Sequence, residues 1–226
     1  MKLFKTALLA AAFVLPLAPI VAQAETPPNV LVVAQNIDDI VAIDPAEAYE
    51  FSSGEYVTQV YDRLVQYEAE DLTKVSPGLA EKWTADETAK TITFTLRDGV
   101  KFHSGNPLRG EDVVYSFIRV VKLNKAPAFI LTQLGWSADN IGDMVKADGN
   151  TVTIKFTGPF SSAFVLNVLA ARPGSIIDAE TVKANEKDGD FGNAWLNGNS
   201  AGTGPFKLRT YRAGEMLTLD ANPDYF

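Results

Sequence analysis

TITFTLRDGVKFHSGNPLRGEDVVYSF, residues 91–117, is the stretch whose reading decides the fold. Ile92, Phe94 and Leu96 alternate with Thr91, Thr93, Thr95 and Arg97. Period two with one polar face predicts a half-solvated antiparallel strand. Asp98-Gly99 supplies the backbone of a tight turn, so Val100 and Phe102 are expected on a returning strand. Ser104-Gly105-Asn106-Pro107 turns the chain again. Glu111 and Asp112 follow where carboxylates favour a helix start, and Val114, Phe117, Ile118 and Val121 make that helix's apolar stripe. The run also holds the single histidine, His103, among Arg97, Asp98, Arg109, Glu111 and Asp112. Catalysis there would need a nucleophile or a second base placed by the fold. No G-x-S-x-G motif occurs, and the charges have local work at a turn and a helix start. His103 therefore reads as a loop histidine, and no residue is taken as catalytic.

Outward from this run the texture is consistent over about residues 70–170. MVKADGNTVTIKF, residues 144–156, is a second strand-turn pattern, with Val152, Ile154 and Phe156 facing inward. Together these make a small α+β unit. The flanks differ. Val30–Ala34 (VLVVA) is a short apolar run of the kind buried on both sheet faces. After an irregular stretch with a turn at Asp44-Pro45, Ser52 or Ser53 is placed to cap a helix. Val57, Val60, Tyr61, Leu64 and Val65 fall on its inward stripe. Beyond residue 170, GSIID reads as a strand, AETVKAN as a short helix, and FKLRTYRAGEMLTLDANPDYF as two strands around Ala213-Gly214-Glu215.

The N-terminus reads as an export signal over residues 1–24. Lys2 and Lys5 precede an apolar run from Ala7 to Val21, and Ala22-Gln23-Ala24 is a small-x-small cleavage site. Pro16 and Pro19 disfavour a spanning helix. With no cysteine there is no lipid-anchored terminus, no disulfide framework and no thiolate chemistry. These first residues hold two of the 20 basic side chains and none of the 28 acidic ones, so the remainder carries a net charge of −10. Such a surface gives no electrostatic footprint for nucleic acid.

Few stretches carry chemistry. One histidine leaves only carboxylates for a metal, without the spacing of a calcium loop, and Asp38-Asp39, Asp188 and Asp190 read as solvated acids. Gly198, Gly202 and Gly204 near Thr203 lack the lysine of a phosphate loop and read as close backbone packing. Trp83, Trp136 and Trp195 are scattered and fit either a core or a ligand platform. Tyr49 and Phe51 stand apart, because they lie in an irregular loop beside Glu50, Ser52 and Ser53. Aromatics beside free polar groups on a loop suit a small ligand, with packing at the start of the helix as the alternative.

LVVAQ, IDPAEAYEFSS, VYDRLV, PGLAEKW, TFTLRDGVKFHSGNPLRGEDVVYSF, GTGPFKL and NPDYF occur in an order and spacing that resembles the peptide/nickel-type (family 5) extracellular solute-binding proteins of ABC importers. The resemblance implies an α/β, periplasmic binding protein-like two-lobe fold (class II, cluster C type). A first lobe would take residues 25–70 and 171–226, and an inserted α+β domain residues 71–170. The second lobe of the family is missing, as in an N-terminal fragment. It further implies a periplasmic receptor that captures a solute, most readily a di- or oligopeptide, and delivers it to inner-membrane permease subunits. Such a receptor is a monomer without cofactor or metal and is no enzyme. The positions matching the family's solute-facing loop are Tyr49, Glu50, Phe51 and Ser52. The chain departs from the family signature at Ser104, where Asp is common, and at Arg109-Gly110, where Thr-Ala commonly starts the helix. Asp112 is expected to reach back to the cap amide. A secreted hydrolase working through carboxylates is the second reading; intact return of incubated peptides separates the two.

Overall fold

The computed structural model describes residues 26–68 and 70–226. The expected signal segment lies outside the described residues. The chain divides into a unit ending at Gln35 and a unit running from Asn36 to Phe226. Within the first, Val30 N donates to Pro27 O, and Val30–Ala34 forms no strand. Leu31 is 87% exposed. The expected two-face-buried strand is absent because no described strand pairs with this segment, and an apolar run acquires its pleat only from a ladder partner.

The larger unit begins with α1 (Phe51–Val60), then β1 (Val65–Glu68), β2 (Asp71–Pro77), β3 (Ala80–Asp86) and β4 (Thr91–Leu96). Next come α2 (Gly110–Leu123), α3 (Phe129–Thr132), α4 (Ile141–Met144), β5 (Val145–Asp148) and β6 (Thr151–Lys155). The last elements are α5 (Ser162–Leu169), α6 (Ala179–Ala184), α7 (Asn193–Leu196), β7 (Phe206–Arg212) and β8 (Met216–Ala221).

The central antiparallel sheet has the order β3-β4-β6-β5. The alternation read in β4 is observed: Ile92, Phe94 and Leu96 are buried and the threonines between them are not. Its neighbours differ from expectation. β4 pairs with β6, Phe94 opposite Val152, and with β3, Trp83 opposite Phe94. Residues 100–102 do not return along β4. They close a local loop in which Leu108 N donates to Val100 O and Phe102 N to Asn106 O. Asn150 takes the space beside the turn, its Nδ2 donating to Asp98 Oδ1 at 2.6 Å. GSIID likewise forms no strand; it has only a bridge from Ser175 to Arg63, while Ile176 and Ile177 are buried.

Helix α1 is shorter than its apolar stripe. It starts after Glu50, not at a serine cap, and ends at Tyr61. Leu64 and Val65 are buried beyond its end, on the way into β1. The chain turns there because Gly202 and Gly204 press on the last turn. A Cβ at Gly202 would sit 2.0 Å from Val60 O, and Gly204 N donates to Val60 O. Gly202 and Gly204 are thus close backbone packing, as expected, whereas Gly198 has no such close neighbour.

Two apolar cores result. The larger one joins the central sheet to α2, α5 and the residues around Leu131 and Trp136. The smaller one holds Ile43, Tyr56, Val57, Val60, Tyr61, Ile177, Val182 and Leu196. Helix α2 faces both. Val113, Phe117, Val120 and Val121 point into the larger core, so the stripe is centred one residue from the expected one, and Val114 and Ile118 are only partly buried. The centre moved because Asp112, Ser116 and Arg119 form a buried polar line at i, i+4 and i+7. Asp112 Oδ1 accepts from Ala179 N, Ser116 Oγ accepts from Ile177 N, and Arg119 reaches Asp44 and Phe191 O. That line fastens segment 177–191 and the Asp44 turn to the helix.

Candidate functional site

The loop before α1 is held from below. Asp44 is fully buried, and its carboxylate receives both terminal nitrogens of Arg119, with Nη1 to Oδ1 at 2.8 Å. Asn193 Nδ2 donates to Asp44 Oδ2, and Ala46 N to Oδ1. Burial alone would push the neighbouring Glu47 carboxyl up. Donors from Asn193, Asn197 and Lys125 outweigh it and hold Glu47 below its usual range. An ion pair removed from water must have its remaining lone pairs filled to hold its place, and here they are filled. The sequence reading took Asp44 only as a turn residue. The signal for more was Arg119, a charge among the apolar residues of a helix.

On this base the loop presents its aromatics outward. Tyr49 is 51% and Phe51 88% exposed, and Phe129 at the start of α3 is 57% exposed. The Tyr49 and Phe129 rings meet edge to face with centroids 6.1 Å apart. Exposed rings that meet in this way offer apolar surface that a ligand or partner could cover. The polar members of the loop have local partners. Glu50 carboxylate accepts from Ser53 Oγ and Tyr49 N. Ser52 N donates to Asp39 Oδ2 and its hydroxyl to Asn36 O. Those donors hold the Asp39 carboxyl below its usual range. Of the four predicted positions, Tyr49 and Phe51 thus offer free side chains, while Glu50 and Ser52 shape the loop.

Tyr49 also lines an open cavity of about 320 Å³, bounded by Ala48, Ile130, Pro173, Arg63 and Arg172 among others. The two arginines were not singled out in the sequence, because a lone arginine in VYDRLV or AARPGS carries no local pattern. Arg172 Nη1 donates to Glu50 O at 2.9 Å and lies where a side chain at Gly54 would be, 1.6 Å from its Cβ. Gly54 in α1 is therefore what admits the guanidinium.

The remaining expected positions fall elsewhere. His103 Nε2 lies 3.0 Å from Gly204 O and its backbone N donates to Gly202 O, so it ties the loop after Phe102 to the glycine segment. Burial holds its imidazole below the usual range. Ser104 and Asn106 both donate to Asp178 Oδ2. Asp112 Oδ2 accepts from Arg109 N at 2.9 Å, the cap contact expected without a threonine. Trp136 is core and donates from Nε1 to Lys155 O, and Trp83 packs on Phe94. Trp195 packs against the smaller core. Among the described residues no cluster of ligating side chains suits a metal ion, and no helix is long and apolar enough to cross a membrane.

The family model of bacterial extracellular solute-binding proteins, family 5 (middle), matches residues 74–226. The chain belongs to this family. Family 5 relatives agree along most of its length. The probable D,D-dipeptide-binding periplasmic protein DdpA of Escherichia coli is 33% identical over 91% of this chain and 38% of its own. Di/tripeptide-binding protein 1 of Pseudomonas aeruginosa is 36% identical over 74% and 32%. The solved structure of Haemophilus influenzae OppA in complex with RPPGFSPFR superposes with a TM-score of 0.69 at 26% identity, covering 82% of this chain and 37% of that one. The chain thus spans between about a third and two fifths of the length of these family 5 proteins, and shares their binding-protein fold over that span.

Proposed function

We propose that the chain forms part of the periplasmic substrate-binding component of an ABC importer, and that its solute is a di- or oligopeptide. The observation that carries this reading is the exposure of Tyr49 and Phe51 in the loop whose sequence resembles family 5 proteins, with Phe129 edge to face on Tyr49. Rings on a loop fixed by a buried ion pair offer flat, low-entropy surface to an extended ligand. The peptide named for the relatives above supports the solute class. Tyr49, Glu50, Phe51 and Ser52 are the solute-facing positions, the first and third through their rings and the others through backbone and loop shape. Residues 25–70 and 171–226 act as the first lobe and 71–170 as the inserted domain; the smaller core, drawn wholly from the first two segments, supports this, although the larger core also takes in Ala46, Leu64, Val65 and Ile176. The receptor works as a monomer, closes a second lobe over the solute, and hands it to permease subunits.

Titration calorimetry with a panel of di- and tripeptides, D,D-dipeptides included, tests this. Binding of at least one peptide, recovered intact by mass spectrometry, is the expected result. Cleavage of the peptides would restore the hydrolase reading, which the names of the relatives do not favour. Binding of none would refute the peptide assignment.

A further inference from the structure

The cavity beside Tyr49 is lined by Arg63 and Arg172 and by no acidic residue. In a chain whose formal charge is −8, two basic side chains at one cavity stand out. Arg63 makes no side-chain hydrogen bond or ion pair among the described residues, and its Nε is buried without a partner. The adjacent acid, Asp62, is already engaged: its carboxylate accepts from Thr203 Oγ1 at 2.7 Å and Tyr225 OH at 3.1 Å. Arg172 donates one nitrogen to Glu50 O and enters no ion pair among the described residues. Burial holds Arg63 below its ordinary range, and the charge of Arg172 adds to this against the pull of Asp62. Asp62 attracts Arg63 but forms no ion pair with it among the described residues, so the guanidinium keeps donors for another anion.

We propose that Arg63 and Arg172 form an anion subsite of the solute cavity, taking a carboxylate of the bound solute while Tyr49 covers its apolar part. The guanidinium fork matches two carboxylate oxygens, and Pro127, Ile130 and Pro173 give the cavity apolar surface for the rest of the solute. The proposal rests on the solute-binding reading above and narrows it to solutes that bring a negative group to this end of the cavity. An inorganic anion offers the same charge without the apolar body, so it can enter but gains nothing from Tyr49.

The test uses the chain labelled with ¹⁵N. Succinate, its neutral counterpart succinamide, Ala-Ala and the C-terminal amide of Ala-Ala are titrated while the arginine Nε–Hε signals are followed. Succinate should shift the signals of Arg63 and Arg172 and succinamide should not. Ala-Ala should bind about tenfold tighter than its amide. That preference should vanish in Arg63→Gln and in Arg172→Gln. Arg172→Lys, which keeps the charge and the reach toward Glu50 O, should retain part of it. If neither peptide binds, the peptide reading fails while the succinate shifts alone decide the subsite. Equal affinities for acid and amide, or no succinate shift at either arginine, would overturn the anion subsite and leave peptide binding standing.

Discussion

At the scale of single residues, three side chains separate jobs that the sequence left mixed. Arg119 is a charge placed in a core for architecture. Arg119→Ala leaves Asp44 buried without its counter-charge, a loss of roughly 3–5 kcal/mol, and a urea melt should show it. A loss below 1 kcal/mol would mean that the pair is not needed to hold the loop. His103 has a signed signature. Its folded pKa lies below the ordinary 6.5, chiefly through burial. The unfolded chain therefore binds the proton first as pH falls. Its stabilising contribution is complete above about pH 6.5 and is lost as pH drops toward the folded value, with a slope of at most about 1.4 kcal/mol per pH unit. His103→Asn should flatten this part of the stability profile between about pH 7.5 and pH 5. An unchanged profile would show that other groups carry the acid sensitivity. Phe51 is the reverse of Arg119: it is 88% exposed, so nothing in the fold depends on its ring. Phe51→Ala should leave the melt within about 0.5 kcal/mol and weaken peptide binding by about tenfold. Lost stability with unchanged affinity would reverse that assignment.

Elements show where pattern reading stops. Period two told which face of β4 turns inward, because burial on one face is written residue by residue. It could not tell that β6, rather than residues 100–102, lies beside it, since either partner presents the same alternation. Helix α2 was legible as amphipathic, but its second buried face is polar. Asp112, Ser116 and Arg119 have the spacing of a helix face, and without the position of segment 177–191 nothing marked them as buried. The site divides the same way. Tyr49 and Phe51 stood out as aromatics in a polar loop, whereas Arg63 and Arg172 reach one cavity from segments far apart in sequence. The departure at Arg109-Gly110 now has a physical reason. A Cβ at Gly110 would lie 2.6 Å from Gly149 O, so the β5–β6 turn sits where an alanine methyl would be. Gly110→Ala gains up to ~1 kcal/mol of helix propensity and must move backbone, a cost of about 1–3 kcal/mol. The expected net is destabilisation by thermal melt; a stabilised variant would show that the turn yields freely.

The unit from Asn36 to Phe226 carries its two cores unequally. The larger is closed by a four-stranded sheet with a helix packed on it, a combination stable on its own terms. The smaller rests on α1, short helices and loops, and is flanked by β7 and β8, a two-stranded sheet whose side chains are mostly half-buried. Two strands alone are marginal in water. Opening should therefore be local and graded, with the cheapest excursions in the part that carries Tyr49, Phe51 and the arginine cavity. Hydrogen exchange followed by mass spectrometry should find the amides of β4, β6 and α2 slowest. Those of β7, β8 and residues 193–197 should exchange through openings well below the global free energy. The polar line on α2 is the fastening between the two cores. Arg119→Ala should therefore accelerate exchange in α1 and in residues 177–201 while leaving β4 and β6 protected. Uniform protection, or a uniform fall in the variant, would mean that the unit unfolds as one body and that the side carrying Tyr49 and Phe51 has no separate freedom. A receptor of the kind proposed, which must admit a solute and then hold it, would gain from that freedom, because the loop could adjust to the ligand without unfolding the sheet beneath it.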